Sequence, residues 1–321
     1  SYRHSYHAGN HADVVKHLVQ VAIVDYLLQK DKPFCYHDSH AGAGLYSLLA
    51  EQAQKTGEFG TGIGRLLQHQ PQSPALAAYL QLIRDLNPQE QLQFYPGSPA
   101  IAKMLLRKDD SIQATELHPS DFPLLQAQFL NRRHCRIEQM DAYAGFKAML
   151  PPLYKRGLVL IDPPYELKTE YQDVVNGLQL AYSRFPQATY AIWYPVIERA
   201  ALEAFISALV ATGIKDMLRI EYCPLPDSSG FGMTGSGMLV LNPHWLLDQA
   251  LAGLAGRPQA IYEAQHVTTL LGLVAGTALG IGCAWVRARG FGADHAPRWL
   301  QGAVGGYVEL IRNTPFIVQL F

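Results

Sequence analysis

At 321 residues the chain has room for one large domain or two ordinary ones, and it can bury a full core without disulfides or a structural metal. Its charged fraction is 17%, its apolar fraction 49% and its formal net charge −1. No overall basic footprint therefore points to nucleic acid, and any RNA contact has to come from a local patch.

Cys35, Cys135, Cys223 and Cys283 are too scattered for metal-ligand spacing and suit a reducing cytoplasm. The first residues do not read as a signal peptide. Four histidines, His4, His7, His11 and His17, crowd the start of the chain, but no cysteine or His-Glu-x-x-His pattern joins them, so no metal is expected. A helix is predicted from about Asn10, with Val14, Leu18, Val21 and Val24 to Leu28 on its apolar face, and Lys30-Asp31-Lys32-Pro33 ends it. Phe34 to Asp38 reads as the first strand. Ser39-His40-Ala41-Gly42-Ala43-Gly44 then forms a small-residue turn before another expected helix start, where backbone can approach a ligand closely. Residues 46–95 are polar, Gln-rich and broken by Gly and Pro, and predict an inserted helical subdomain that caps the sheet or helps to bind substrate. Tyr95-Pro96-Gly97-Ser98-Pro99 reads as a turn before a helix through Leu106.

Three further strands are expected to end in acids: Ser111 to Glu116, Arg136 to Asp141, and Leu158 to Ile161 followed by Asp162. With Asp38 they make four carboxylates on one edge, where open α/β sheets bind ligands and where an acid commonly accepts ribose hydroxyls. Leu158 to Ile161 is a continuous apolar run, so both its faces must be covered by helices. Pro163 has no N–H and stops the strand, presenting Asp162, a rigid turn and the Tyr165 ring to a flat, amino-bearing base. Thr189 to Pro195 is a fifth strand, and Met217 to Tyr222 with Ser236 to Asn242 an antiparallel pair. That order predicts the Rossmann-like α/β sheet of a class I S-adenosylmethionine-dependent methyltransferase. A full Gly-x-Gly-x-x-Gly, which a nicotinamide site would carry, is missing.

Residues 1 to about 255 resemble the RlmJ family, bacterial 23S ribosomal RNA adenine-N6 methyltransferases. The resemblance lies in Tyr2-Arg3-His4, His7 to Val14, His40-Ala41-Gly42-Ala43-Gly44, Tyr95 to Pro99, Glu116 to Asp121, Asp162-Pro163-Pro164-Tyr165-Glu166 and Gly232 to Met238. It implies S-adenosylmethionine as cofactor, with His17, His40, Ser98, Glu116, Asp141, Ala142 and Asp162 lining its pocket. Ala142 stands where the family usually has Gly. The resemblance further implies that Tyr2 touches the RNA, and that the target is an adenine of 23S rRNA, adenine 2030, met before or without full assembly of ribosomal proteins. Asp162 and Pro163 would bind the N6 amino group, with Tyr165 stacked on a base swung out of its helix. The methyltransferase domain is expected over 1–256.

From about residue 257 the character changes. Val267 to Val286 has twenty residues and no charge, enough to span a bilayer, with Gly272, Gly276 and Gly280 on one face and Arg287 and Arg289 following. Gly306 to Phe321 is similar to a segment of polar amino-acid ABC transporter permeases. A gene-model junction, a truncated natural fusion and a tether to the inner membrane all stay open for this tail. The rest of the chain reads as cytoplasmic. Competing functions are a DNA adenine-N6 methyltransferase, since Asp-Pro-Pro-Tyr serves both substrates, and, from the tail alone, a membrane component of a transporter.

Overall fold

A computed structural model describes residues 4–251 apart from 72, 90, 168, 228–231, 245–246 and 248–250. Tyr2 and the tail 257–321, with its candidate span 267–286, lie outside the described residues. Among the described residues no helix is long and apolar enough to cross a membrane.

Helix α1 (His11–Leu28) begins where the Asn10 side chain accepts the Asp13 N–H, satisfying a donor that the first turn leaves orphaned. Fourteen of its 18 residues are buried, including Asp13, Lys16, His17 and Gln20, so it is enclosed nearly all round rather than amphipathic. It leads to β1 (Cys35–Asp38). After the glycine turn the chain forms β2 (Leu45–Ser47), then α2 (Glu51–Thr56), α3 (Glu58–Thr61), α4 (Ile63–Leu66) and α5 (Pro74–Leu86), and returns through β3 (Phe94–Pro96). This corrects two expectations. The segment after Gly44 is a strand, because Leu45 to Ser47 pairs antiparallel with Phe94 to Pro96, and Tyr95-Pro96 accordingly belongs to a strand and not a turn. The stretch 46–95 thus holds four helices bracketed by a two-stranded ribbon.

The rest alternates as foreseen: α6 (Ser98–Leu105), β4 (Ser111–Thr115), α7 (Phe122–Phe129), β5 (Cys135–Glu138), α8 (Ala142–Met149), β6 (Gly157–Ile161), α9 (Glu170–Arg184), β7 (Thr189–Val196), α10 (Arg199–Ala211), β8 (Met217–Tyr222) and β9 (Gly235–Leu241). The main sheet has the order β5-β4-β1-β6-β7-β9-β8. Its first five strands run parallel and β9 is antiparallel to both neighbours. The carboxyl ends of β1, β4, β5, β6 and β7 therefore share one edge. On β6, Leu158 and Leu160 enter the core under α1, while Val159 and Ile161 enter the core against α8, α9 and α10, the two-sided burial that the apolar run required.

Candidate active site

Asp162 follows directly on β6, and its Oδ2 lies 2.6 Å from Lys16 Nζ on α1. Lys16 also meets Asp13 Oδ1 at 2.9 Å, and Asp13 Oδ2 accepts from the Gly9 N–H and faces His4 Nε2, both at 2.9 Å. A line of alternating charge thus runs from the sheet edge along α1 to the N-terminal segment. Lys16 and Asp13 are buried, and burial opposes both charges. The two carboxylates beside Lys16 nonetheless hold its ammonium well above the ordinary lysine range, and His4 and Lys16 hold the Asp13 carboxyl well below its own.

Asp38, the last residue of β1, is fully buried and accepts from the Tyr36 and Ser98 hydroxyls, each at 2.7 Å, on Oδ2. Burial pushes its carboxyl up to about 6 against those bonds. Its Oδ1 has no partner, and neither has Nε2 of His17, whose Nδ1 lies 2.7 Å from the Tyr95 hydroxyl. Burial holds His17 well below the usual imidazole range, so it is neutral. Ser39 Oγ donates to the Leu160 carbonyl at 3.0 Å and so accepts from His40 Nδ1 at 2.8 Å, which leaves His40 Nε2 as an acceptor. Burial takes His40 down to about 4, against Asp162 and Asp141.

Glu116, just past β4, accepts the Gly42 N–H at 2.7 Å and the His118 N–H at 2.6 Å, with burial raising its pKa. Gly42 and Gly44 have φ of +62° and +80°, and a Cβ on Gly42 would run into the Tyr46 hydroxyl, so the turn is held against Glu116 in a form that only glycine adopts without strain. Strand β5 stops at Glu138, three residues short of the expected acid. Asp141 instead caps α8, its Oδ1 accepting the Tyr143 and Ala144 N–H at 3.0 and 2.9 Å, with buried Ala142 next to it. After Pro163 and Pro164, Tyr165 adopts φ +52°, donates to the Trp193 carbonyl at 2.8 Å and packs 5.0 Å from the Tyr171 ring.

The residues foreseen from sequence therefore occupy one edge: Asp38, His40, Ser98, Glu116 and Asp162 around β1, β4 and β6, His17 above them on α1, and Asp141 with Ala142 further out beside β5. Sequence reasoning missed Lys16, Asp13 and His4. Their trace was present as an acid and a base three residues apart inside an apolar helix, Asp13-Val14-Val15-Lys16. The remaining N-terminal histidines are occupied otherwise: His7 pairs with Glu58 at 3.0 Å and His11 sits edge-on to Tyr222. Among the described residues no three ligating groups gather as a metal site would need.

The strand order, the glycine turn after β1 and the acid-proline-proline turn after β6 together define a Rossmann-like class I methyltransferase. The family model described as "Ribosomal RNA large subunit methyltransferase D, RlmJ" matches residues 31–257, and the chain belongs to that family. It is 53% identical to the Ribosomal RNA large subunit methyltransferase J of Escherichia coli over 78% of this chain and 90% of that protein. It is 47% identical to the protein of the same name from Haemophilus influenzae, over 77% and 89% respectively. Among solved structures, a Legionella pneumophila protein superposes with a TM-score of 0.68 at 33% identity, over 76% of this chain and 89% of that one.

Proposed function

We propose that the chain methylates N6 of an adenine in 23S rRNA with S-adenosylmethionine as donor, and that adenine 2030, the position which the resemblance implies, is the expected target. The observation that carries the reading is Asp162 on its rigid turn, ion-paired to Lys16 at the edge where Asp38 Oδ1 and His17 Nε2 lack partners. Unpartnered buried polar atoms are costly unless a ligand completes them. Two acids and a neutral imidazole near a glycine turn fit the cofactor's amino-acid end, and Glu116 past β4 fits its ribose. His17, His40, Ser98, Glu116, Asp141, Ala142 and Asp162 would hold it, within a methyltransferase domain that we place at 1–256.

When bound, S-adenosylmethionine would supply an electrophilic methyl carbon, to which a localised lone pair bonds as the carbon–sulfur bond breaks and the neutral thioether leaves. Adenine N6 lacks such a pair because its electrons are delocalised into the ring. Asp162 Oδ and the Pro163 carbonyl oxygen accept hydrogen bonds from the two N6 hydrogens, which draws the lone pair out of conjugation, localises it on nitrogen and fixes its direction. The proton that N6 sheds is received at Asp162. Lys16 orients that carboxylate, Asp13 holds Lys16, and His4 holds Asp13. Tyr165, half-buried and tied to the Trp193 carbonyl, would stack on the base, with Tyr2 on the RNA side.

Labelled S-adenosylmethionine, offered with unmodified 23S rRNA and duplex DNA side by side, tests this. Label in N6-methyladenosine from RNA only is expected, and Asp162→Asn should lower turnover by at least about a hundredfold, the loss typical of a positioned proton acceptor, while cofactor still binds. Label in DNA alone would instead assign a DNA methyltransferase.

A further inference from the structure

Strands β5, β4, β1 and β6 lie side by side and run parallel, so the loops that enter them gather on the edge of the sheet opposite Asp162. These loops are 130–134, 106–110, 29–34 and 150–156. They hold 23 of the 321 residues but eight of the 26 lysines and arginines, against three aspartates. The whole chain carries a formal charge of −1, so this edge concentrates positive charge that the rest of the molecule lacks.

The bland explanation is capping, since each loop follows a helix whose last carbonyls attract cations. It accounts for three of the eight. Arg156 donates to the carbonyls of Leu27 and Lys32 at 2.9 and 2.6 Å, Arg107 to those of Lys30 and Lys32 at 3.0 and 3.3 Å, and Arg132 to that of Arg107 at 2.9 Å. These bonds tie the four loops into one platform, and a carbonyl, unlike a carboxylate, leaves the charge of its cation uncancelled. Among the described residues, the one ion pair these loops make joins Arg107 to the buried Asp110, at 2.9 Å. The other five cations, Lys30, Lys32, Lys108, Arg133 and Lys155, are exposed, and their side chains are free of capping bonds. Holding like charges together costs energy that an anionic partner offsets. A crevice on the same edge has His134 and Tyr154 in its walls, rings of the kind on which unpaired bases stack.

We propose that this edge is a second RNA-binding surface, which holds the phosphate backbone of 23S rRNA while the target adenine is handled at the opposite edge. The proposal rests on the function proposed above and adds where the affinity comes from. Three strand spacings make the platform roughly 14 Å wide, and the length of β6 puts it roughly 17 Å from Asp162. An RNA that extends well beyond its target base meets both edges.

The test uses the full chain and unmodified 23S rRNA. Lys32→Gln with Arg133→Gln, and separately Lys108→Gln with Lys155→Gln, should each raise the dissociation constant for the RNA about tenfold at ~0.15 M salt and flatten its logarithmic salt dependence by about one for each charge removed. Affinity for S-adenosylmethionine, and kcat at saturating RNA, should stay within about twofold, because phosphate contacts position without touching the chemistry. Lys55→Gln with Lys215→Gln removes equal charge away from these loops and should leave RNA affinity within about twofold of wild type. All six side chains are exposed, and either patch pair suffices should the other fail to fold. Unchanged RNA affinity in a folded patch pair overturns the proposal. An equal loss in the control pair overturns it too, because net charge alone would then be acting. Patch pairs that keep RNA affinity but no longer sediment with phosphatidylglycerol vesicles would assign the edge to a membrane surface instead. A wild-type chain that binds 23S rRNA through this edge yet transfers no methyl group to it overturns the function above and leaves the RNA-binding edge, which separates the two failures.

Discussion

Lys16 sits between two carboxylates and is exposed over only 6% of its side chain. A buried ion pair adds little net stability over a well-packed apolar pair, but removing one partner leaves a stranded charge and costs about 3–5 kcal/mol. Lys16→Met should therefore destabilise the chain by about that amount in urea unfolding, and adding Asp13→Asn should recover part of the loss. Additive losses would show that Asp13 and Lys16 do not act as a unit. Asp162 was legible from sequence because its signal is local: an apolar strand, a carboxylate and two prolines in a row. Lys16 was not, because nothing local reveals that a helix is enclosed on every side, and a lysine in an apolar pattern reads as an exposed edge. His17 and Ser98 came from the family resemblance, and what they touch depends on Tyr95 and Asp38, distant in the chain.

At the scale of elements, the pairing of β1 with β6 carries the site, since both Asp38 and Asp162 hang from its end. Cys35 and Gly157 are partners in that ladder, and a Cβ on Gly157 would run into the Cys35 carbonyl oxygen, with the Phe185 ring 3.2 Å away. Gly157→Ala forces two parallel strands apart, and we expect a loss of roughly 1–3 kcal/mol in stability, read as a lower urea midpoint. An unchanged midpoint would show that the ladder yields at no cost. The described strands of the main sheet were legible to within two residues at each end, except β5; β6 is an apolar run closed by an acid and two prolines, and β1 and β4 each end at or next to an acid. Strands β2 and β3 were hidden, since three residues are too few for an alternation to register and the ribbon forms only by pairing across 46 intervening residues. Strand β5 stops early because Asp141 is taken up as the cap of α8.

Across the whole molecule, buried titratable groups set the response to acid. Burial holds His37 and His40 down to about 4 and His17 well below its usual value, whereas it raises Asp38 to about 6. His37 and His40 bind protons in the unfolded chain below pH 6.5 but not in the folded one until about pH 4, so they remove stability as pH falls through that window, and His17 acts in the same direction. Asp38 acts in reverse, because the folded state takes up its proton first and stability from that group rises as pH falls from about 6. Of these four groups three lose stability towards acid and one gains it, with about 3 kcal/mol from His37 alone, and the buried Asp13, whose carboxyl is held low, adds to the loss. Urea midpoints between pH 4.5 and 7 should climb with pH, and His37→Gln should flatten the slope; a flat wild-type profile would show these histidines to be solvated.

The placement of β9 between β7 and β8 has a consequence for how the chain is made. Helix α1 packs on β9, the last of the described strands in chain order, and so leaves the ribosome well before it. At about 5–20 residues per second, roughly 10–40 s separate them. Through that interval a helix with fourteen of its 18 residues destined for the interior lacks part of the surface it rests on. The charge line can close once Asp162 has emerged, but α1 reaches its full packing only when β9 has been made.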